Sequence, residues 1–111
     1  MVHPHCTPPG RVREALTIEA LDHVQVAAPA GCEAAARAFY GGLLGLAELP
    51  KPPLLAARGG LWFVLGAQEL HVGVAEPFAP ATRAHPGIAV ADEASLRALA
   101  ADLESAGHRV T

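Results

Sequence analysis

Residues 21–45 read LDHVQVAAPAGCEAAARAFYGGLLG, and the start of this stretch has the pattern of a β-strand. Val24 and Val26 fall on one face of an extended chain, whereas His23 and Gln25 fall on the other. Alternation of this kind is typical of a strand that buries one face and exposes the other. The aliphatic face should therefore pack against the core of the domain.

The same stretch predicts that this strand, at about residues 19–27, is followed by a helix. The segment from Pro29 to Gly31 interrupts the alternation. Apolar residues then recur at steps of three and four positions, which is the spacing of an amphipathic helix lying on a sheet. Gly45 is the expected helix stop, because glycine tolerates the left-handed conformation that ends many helices. The apolar stripe consists of Ala34, Ala35, Ala38, Phe39, Leu43 and Leu44.

Three apolar segments follow the prolines at positions 50, 52 and 53, and each is predicted to be a strand. Residues 54–57 should form an irregular or edge strand, because the proline ring cannot donate to a sheet ladder. Residues 60–65 and 68–75 are separated only by Gly66 and Ala67, a connection short enough for a β-hairpin. These two strands should therefore be antiparallel.

A second strand–helix unit is predicted after a linker at residues 77–84, which contains two prolines. A strand is expected at residues 85–90, because aliphatic residues again alternate with other types. Asp92 then suits the N-cap of a helix, and Gly107 is its expected end.

Equal spacing connects the two units. His23 precedes the helix-ending Gly45 by 22 residues, and His85 precedes Gly107 by the same number. This correspondence indicates a duplicated strand–helix unit.

The predicted fold class is α+β, with a mixed, curved sheet that carries helices on its outer face. Residues 18–76 should form a βαβββ module, and residues 85–111 a second module that is truncated after its helix. Residues 1–17 should be a flexible or edge-appended leader to this one compact domain. A sheet that stops early has an unpaired edge, so we expect a homodimer to complete it.

Composition and charge argue against several classes of protein. The 111 residues carry a formal charge of −3, and the eight basic residues are scattered, unlike the basic surface of a nucleic-acid-binding protein. No apolar run approaches the roughly 20 residues that cross a bilayer, and the first ten residues lack the apolar stretch of a secretory signal. We therefore expect a cytoplasmic protein without nucleic-acid or membrane partners. Cys6 and Cys32 indicate neither a zinc finger nor a disulfide framework.

Three predicted strands carry a histidine on the face opposite their branched aliphatic residues. His23 is accompanied there by Gln25, His71 by Glu69, and His85 by small residues. If both helices cover the aliphatic face, the histidine faces line a common cleft. A single strand histidine is more often an ordinary solvated or hydrogen-bonded side chain, but three in the same facial pattern favour a binding site.

This pattern predicts a site for a divalent metal and a small-molecule ligand. Neutral imidazoles on rigid strands are good ligands for zinc, iron, nickel or manganese. The predicted metal ligands are His23, His71 and His85. The predicted substrate contacts are Gln25, Glu69, Trp62 and Phe63. The two aromatic residues are adjacent in the sequence and so alternate faces, which means that one should be core and the other should line the cleft.

Four segments carry a resemblance to a known superfamily. They are Leu21-Asp22-His23-Val24, Ala38-Phe39-Tyr40 running into Leu44-Gly45-Leu46, Glu69-Leu70-His71-Val72, and His85-Pro86-Gly87-Ile88. Together they resemble the glyoxalase, bleomycin-resistance protein and extradiol dioxygenase superfamily, also called the vicinal oxygen chelate superfamily. The resemblance covers residues 20–111. It implies paired βαβββ modules that curl around a divalent metal, and a substrate that chelates this metal through neighbouring oxygens.

The resemblance also implies roles for individual residues. His23 and His85 match the first-strand ligands of the two modules, and His71 occupies the fourth-strand position that glyoxalases usually fill with a carboxylate. The family's last ligand, a glutamate in the final strand of the second module, has no counterpart before Thr111. Such a site lacks both a carboxylate to balance the metal charge and a general base for glyoxalase-like chemistry.

Three hypotheses of function follow from the sequence. The first is a metal-dependent enzyme of glyoxalase or dioxygenase type that acts on a small oxygenated substrate. The second is a metal-free protein of bleomycin-resistance type, which binds a drug or metabolite in a concave apolar site. The third is an inactive, truncated relative whose remaining property is self-association.

Overall fold

The computed structural model describes residues 17–111, which form a four-stranded mixed sheet with three helices. The strands lie in the order β1-β4-β3-β2, with β1 parallel to β4 and β3 antiparallel to both of its neighbours. Their bounds are β1 (His23–Ala28), β2 (Glu48–Leu49), β3 (Leu61–Leu65) and β4 (Gln68–Val74). The α+β βαβββ module and the antiparallel hairpin are therefore confirmed. The predicted leader, residues 1–17, falls outside the described residues except for Thr17.

The helix after β1 begins as α1 (Glu33–Ala36) and continues without interruption as a π-helical segment (Arg37–Leu43). In this segment the Leu44 amide donates to the Phe39 carbonyl, 3.0 Å away and five residues earlier. Gly45 then adopts a φ of +73°, as expected for the residue that ends the helix. The sequence pattern predicted the extent of this helix but not its π-helical form.

The core lies between α1 and one face of the sheet. Its buried residues are Ala36, Leu61, Phe63, Leu70 and Val72, and Phe63 is completely inaccessible to solvent. Val26, Tyr40 and Leu46 pack against this cluster from its margin. Leu70 and Val72 have the parity that the alternation in β4 predicted, and the register places Leu61 and Phe63 of β3 beside them, so the aliphatic face is the packed face.

The predicted strand at residues 54–57 is wrong, because this segment belongs to the short helix α2 (Pro53–Ala56). Pro53 occupies the first turn, where its ring fixes φ near the helical value and its missing amide hydrogen costs nothing. The proline that argued for an edge strand in fact starts a helical turn.

Residues 85–90 are also not a strand within the described chain. Among residues 17–111, β1 pairs only with β4, so no strand of this part of the chain supplies the hydrogen bonds that an extended segment at 85–90 needs. The helix that follows, α3 (Glu93–Ser105), forms as predicted. Asp92 caps it by accepting a hydrogen bond of 2.7 Å from the Ser95 amide, and Gly107 follows it with a φ of +92°.

Helix α3 is loosely attached to the rest of the domain. It has no buried side chain, and Leu96 is 53% exposed. It contacts the π-helical segment, and beyond its end the His108 ring meets the Phe39 ring edge-on, with 5.0 Å between centroids. Within residues 17–111, none of the helices has both the length and the apolar character required to cross a membrane.

Candidate ligand-binding cleft

The face of the sheet opposite the core forms an open cleft of about 660 Å³, which we call the histidine cleft. Strand register places Gln25, His71 and Trp62 side by side across β1, β4 and β3 on this face. His23 and Glu69 are the next residues of the same parity. The cleft is lined by Asp22, His23, Gln25, Lys51, Leu55, Arg58, Gly59, Trp62, Glu69, His71, Val72, Gly73 and Val74.

Three rings stand in a stack across the floor of the histidine cleft. The His23 and His71 rings have centroids 4.2 Å apart and planes inclined by 11°. The Trp62 ring lies on the other side of His71, at 4.4 Å and also 11°. His71 is only 7% exposed because it is held between its two neighbours.

Each histidine of the stack has a carboxylate partner. His71 Nε2 lies 2.8 Å from Glu69 Oε1, and His23 Nδ1 lies 2.9 Å from Asp22 Oδ2. A carboxylate only accepts hydrogen bonds, so it holds the proton on the nitrogen that faces it. The lone pair of each neutral ring is then on the other nitrogen, Nδ1 of His71 and Nε2 of His23. Histidines that bind metals are commonly oriented by a carboxylate in this way.

The donor chemistry of His23 and His71 fits a divalent ion, but the present orientation of their rings does not. A ring nitrogen binds a metal along its own ring plane, at about 2.0–2.1 Å for zinc. Two planes that are nearly parallel and 4.2 Å apart do not meet near the rings, so both nitrogens cannot point at one ion. At least one ring must turn out of the stack before the pair can chelate. The described residues contain no group of three or more His, Cys, Asp or Glu side chains arranged to hold a metal ion.

The structure does not bring His85 to the histidine cleft within one chain. His85 is exposed, and its Nδ1 lies 2.7 Å from the Arg83 carbonyl oxygen. It lines a second, more apolar cavity of about 770 Å³, together with Val24 and Val26 from the aliphatic face of β1. Phe78 and Ile88, on either side of His85 in the sequence, line the same cavity. Since the linker leads this segment to the aliphatic face, the common cleft of three histidines is not formed in a single chain.

The remaining predicted substrate contacts divide between the two faces of the sheet. Trp62 lines the cleft, whereas Phe63 is buried in the core and has no surface to offer a ligand. Gln25 also lines the cleft, and its amide lies across Gly73 so closely that a Cβ at Gly73 would come within 2.5 Å of it. Gly73 therefore provides the space that Gln25 occupies.

Two cleft residues, Lys51 and Arg58, were missed by the sequence analysis. Lys51 Nζ is 5.9 Å from the centroid of the Trp62 ring and donates a 2.5 Å hydrogen bond to the Gly59 carbonyl. Both residues flank α2, the segment that was mistaken for a strand. The available signal was a pair of basic residues on either side of two prolines and a short apolar segment, which alone does not indicate that they share a cleft.

The loop after Arg58 is fixed by Glu33, which lies at the start of α1. The Gly60 amide donates to Glu33 Oε2 at 3.0 Å, and this bond is the main reason that the pKa of Glu33 is lowered. Cys32 Sγ lies 3.4 Å from the same oxygen. Burial, followed by the hydrogen bond to Glu33, raises the pKa of the Cys32 thiol, so this cysteine is less easily ionised than a free one.

Comparison with known proteins places this geometry in a family. No family profile and no curated protein matches the chain. Among solved structures, a Bacillus anthracis protein ascribed to the glyoxalase family is 48% identical with a TM-score of 0.76, over 84% of this chain and 74% of that one.

Two more distant structures share the fold. A lactoylglutathione lyase from Agrobacterium tumefaciens is 22% identical with a TM-score of 0.54, over 82% of this chain and 72% of that one. An integron cassette protein from the Halifax Harbour sewage outfall metagenome is 21% identical with a TM-score of 0.60, over 81% and 72%. The identity and coverage of the Bacillus anthracis protein, together with the βαβββ sheet and its histidine-bearing face, show that this chain belongs to the glyoxalase family, as its sequence motifs indicated.

Proposed function

We propose that this chain is a metal-dependent enzyme of glyoxalase or dioxygenase type, with a divalent ion bound by His23 and His71 in the histidine cleft. The observation that carries the proposal is that two imidazoles on adjacent strands face one cleft, each with a carboxylate on one ring nitrogen. When bound, a zinc, iron, nickel or manganese ion supplies a Lewis acid for a small oxygenated substrate. His85 remains the proposed third ligand, to be contributed after rearrangement or by a second copy of the chain.

The chain's own residues have separable tasks in this proposal. Asp22 and Glu69 hold the protons and ring directions of His23 and His71. Gln25 and Trp62 contact the substrate, because both line the cleft beside the histidines.

Metal binding is tested by equilibrium dialysis against zinc, nickel or manganese, followed by elemental analysis. We expect one bound ion per histidine cleft. We also expect His23→Ala to weaken metal binding at least about tenfold, which is the smallest effect usual when a group that supports a metal is removed. His23 is half-exposed, so its removal should leave the fold intact, and circular dichroism checks this. The variant His108→Ala is a control that removes a histidine away from the cleft, where its ring contacts Phe39. Absence of a bound ion, or equal binding by His23→Ala, would refute the proposal.

The second candidate is a metal-free binding protein of bleomycin-resistance type. The observation that favours it is the closed stack of His23, His71 and Trp62, which buries His71 and leaves no two ring nitrogens directed at one point. In this case the histidines are hydrogen-bonding partners of a ligand. Organic ligands would then quench the fluorescence of Trp62 equally with and without a chelator, whereas the first candidate requires the chelator to weaken the effect.

A further inference from the structure

The histidine cleft has a positively charged rim, formed by Lys51 and Arg58 on the two sides of α2. Six Lys and Arg side chains lie in residues 17–111. Arg37 and Arg97 form ion pairs with glutamates, whereas Lys51, Arg58, Arg83 and Arg109 have no carboxylate partner among these residues. Of these four, Lys51 and Arg58 line the histidine cleft and place two positive charges on its α2 side. They create a potential that attracts anions to this rim.

The cleft also contains two carboxylates, which lie beside the histidines rather than beside α2. Asp22 and Glu69 lie on β1 and β4 or next to them, and each is hydrogen-bonded to a histidine. The two sides of the cleft therefore carry different polar groups. One side presents imidazoles with their carboxylates, and the side next to α2 presents cations.

The position of Lys51 is fixed before any ligand binds. Its ammonium donates to the Gly59 carbonyl, and the next residue, Gly60, is itself anchored to Glu33 through its amide. An ammonium has three N–H donors, so this bond leaves two for a ligand. A group that is already held in place loses less conformational entropy on binding.

Apolar surface separates the charged rim from the histidines. The Trp62 ring and Leu55 line the cleft together with Lys51 and Arg58. A ligand that reaches from Lys51 and Arg58 to His71 must therefore contact this apolar surface, which favours an organic acid over a small inorganic anion.

We propose that Lys51 and Arg58 bind a carboxylate of the ligand, so that the substrate class of this cleft is small organic acids carrying further oxygens toward His23 and His71. This inference deepens the proposed function and rests on the histidine cleft being the ligand site. Arginine and lysine both form strong, charge-assisted hydrogen bonds with carboxylates, and the loss of one charge weakens such a contact by about tenfold.

The probes 4-hydroxyphenylacetate and 4-hydroxyphenylacetamide are suitable, because they have the same shape and an oxygen at the far end of an apolar ring but differ in charge. Isothermal titration calorimetry on the full chain should show about tenfold tighter binding of the acid than of the amide. Lys51→Met and Arg58→Met should each reduce or remove this difference, chiefly by weakening the binding of the acid. Arg97→Met, a matched loss of charge on α3, should leave both affinities unchanged.

Three results would overturn the inference. They are equal affinity for the acid and the amide, no binding of 4-hydroxyphenylacetate at millimolar concentration, and inorganic phosphate binding as tightly as 4-hydroxyphenylacetate. Repeating the titrations with a chelator and with His23→Ala separates this inference from the metal proposal. If discrimination between acid and amide survives both changes, the charged rim acts independently of any metal, and equilibrium dialysis decides the metal proposal separately. If a metal binds but the acid and the amide bind equally, the metal proposal stands and the charged rim is refuted.

Discussion

The replacement Gly60→Ala should destabilise the domain severely, because this glycine has no room for a side chain. Gly60 is buried with a φ of +84°, and a Cβ built on it would lie 2.2 Å from the Val72 carbonyl oxygen of β4. The left-handed conformation alone costs a residue other than glycine about 1–2 kcal/mol. Forcing a methyl group into a packed site typically adds about 1–3 kcal/mol. We therefore expect the free energy of unfolding to fall by about 2–5 kcal/mol.

Gly66→Ala is the matched control for this measurement. Gly66 also has a positive φ, of +60°, but nothing lies within 4 Å of the position its Cβ would take. It should lose only the conformational part, about 1–2 kcal/mol. Urea denaturation followed by circular dichroism and by the fluorescence of Trp62 gives both values. If the two variants lose the same stability within error, the close approach of the Gly60 loop to β4 is not the cause, and the reasoning is refuted.

Two further predictions concern acid stability and association. The lowered pKa of Glu33 means that its carboxylate stabilises the fold above pH 4.5, its ordinary pKa, and that this contribution is lost as the pH falls below it. Glu33→Gln should therefore show a shallower loss of stability in that acid range when urea midpoints are measured against pH, and an unchanged pH dependence would contradict this. Sedimentation equilibrium should show a homodimer that Leu21→Glu weakens, because Leu21 is 42% exposed beside the free edge of β1. Leu54→Glu, at an 89% exposed position on α2, should not weaken it, and a monomeric wild-type chain would refute the expectation.

The sequence predicted the elements whose signals are local and periodic. Alternation in β1 and β4 assigned the packed and the open face of the sheet, because strand pleating leaves no other arrangement of Val26, Leu70 and Val72. Glycine predicted where the first helix and α3 end, and aspartate predicted where α3 begins. Gly45, Gly107 and Asp92 act through backbone conformation and capping. These effects depend on few neighbours.

The errors arose where the outcome depends on distant parts of the chain. Residues 85–90 have the alternation of a strand, but a strand forms only where another strand offers hydrogen bonds, and no local pattern reveals that partner. The proline before Leu54 is compatible with an edge strand or with a helical first turn, and the structure has the latter.

The sequence predicted which side chains of the candidate site share one face of the sheet, but not how those side chains are arranged on it. Parity placed His23, His71 and Trp62 together, whereas their stacking depends on the spacing between strands and on rotamers. Lys51 and Arg58 reach the cleft only because α2 folds over it, so strand parity could not have found them.

The two edges of the sheet have unequal capacity to recruit another chain. On one side β2 contributes only Glu48 and Leu49 before Pro50, so this border offers too few backbone groups to template further pairing. On the other side, β1 has no strand partner at its outer edge within residues 17–111, and its six residues are long enough to pair with another strand. A chain with one such edge would pair with one neighbour and form a closed dimer rather than an open fibre.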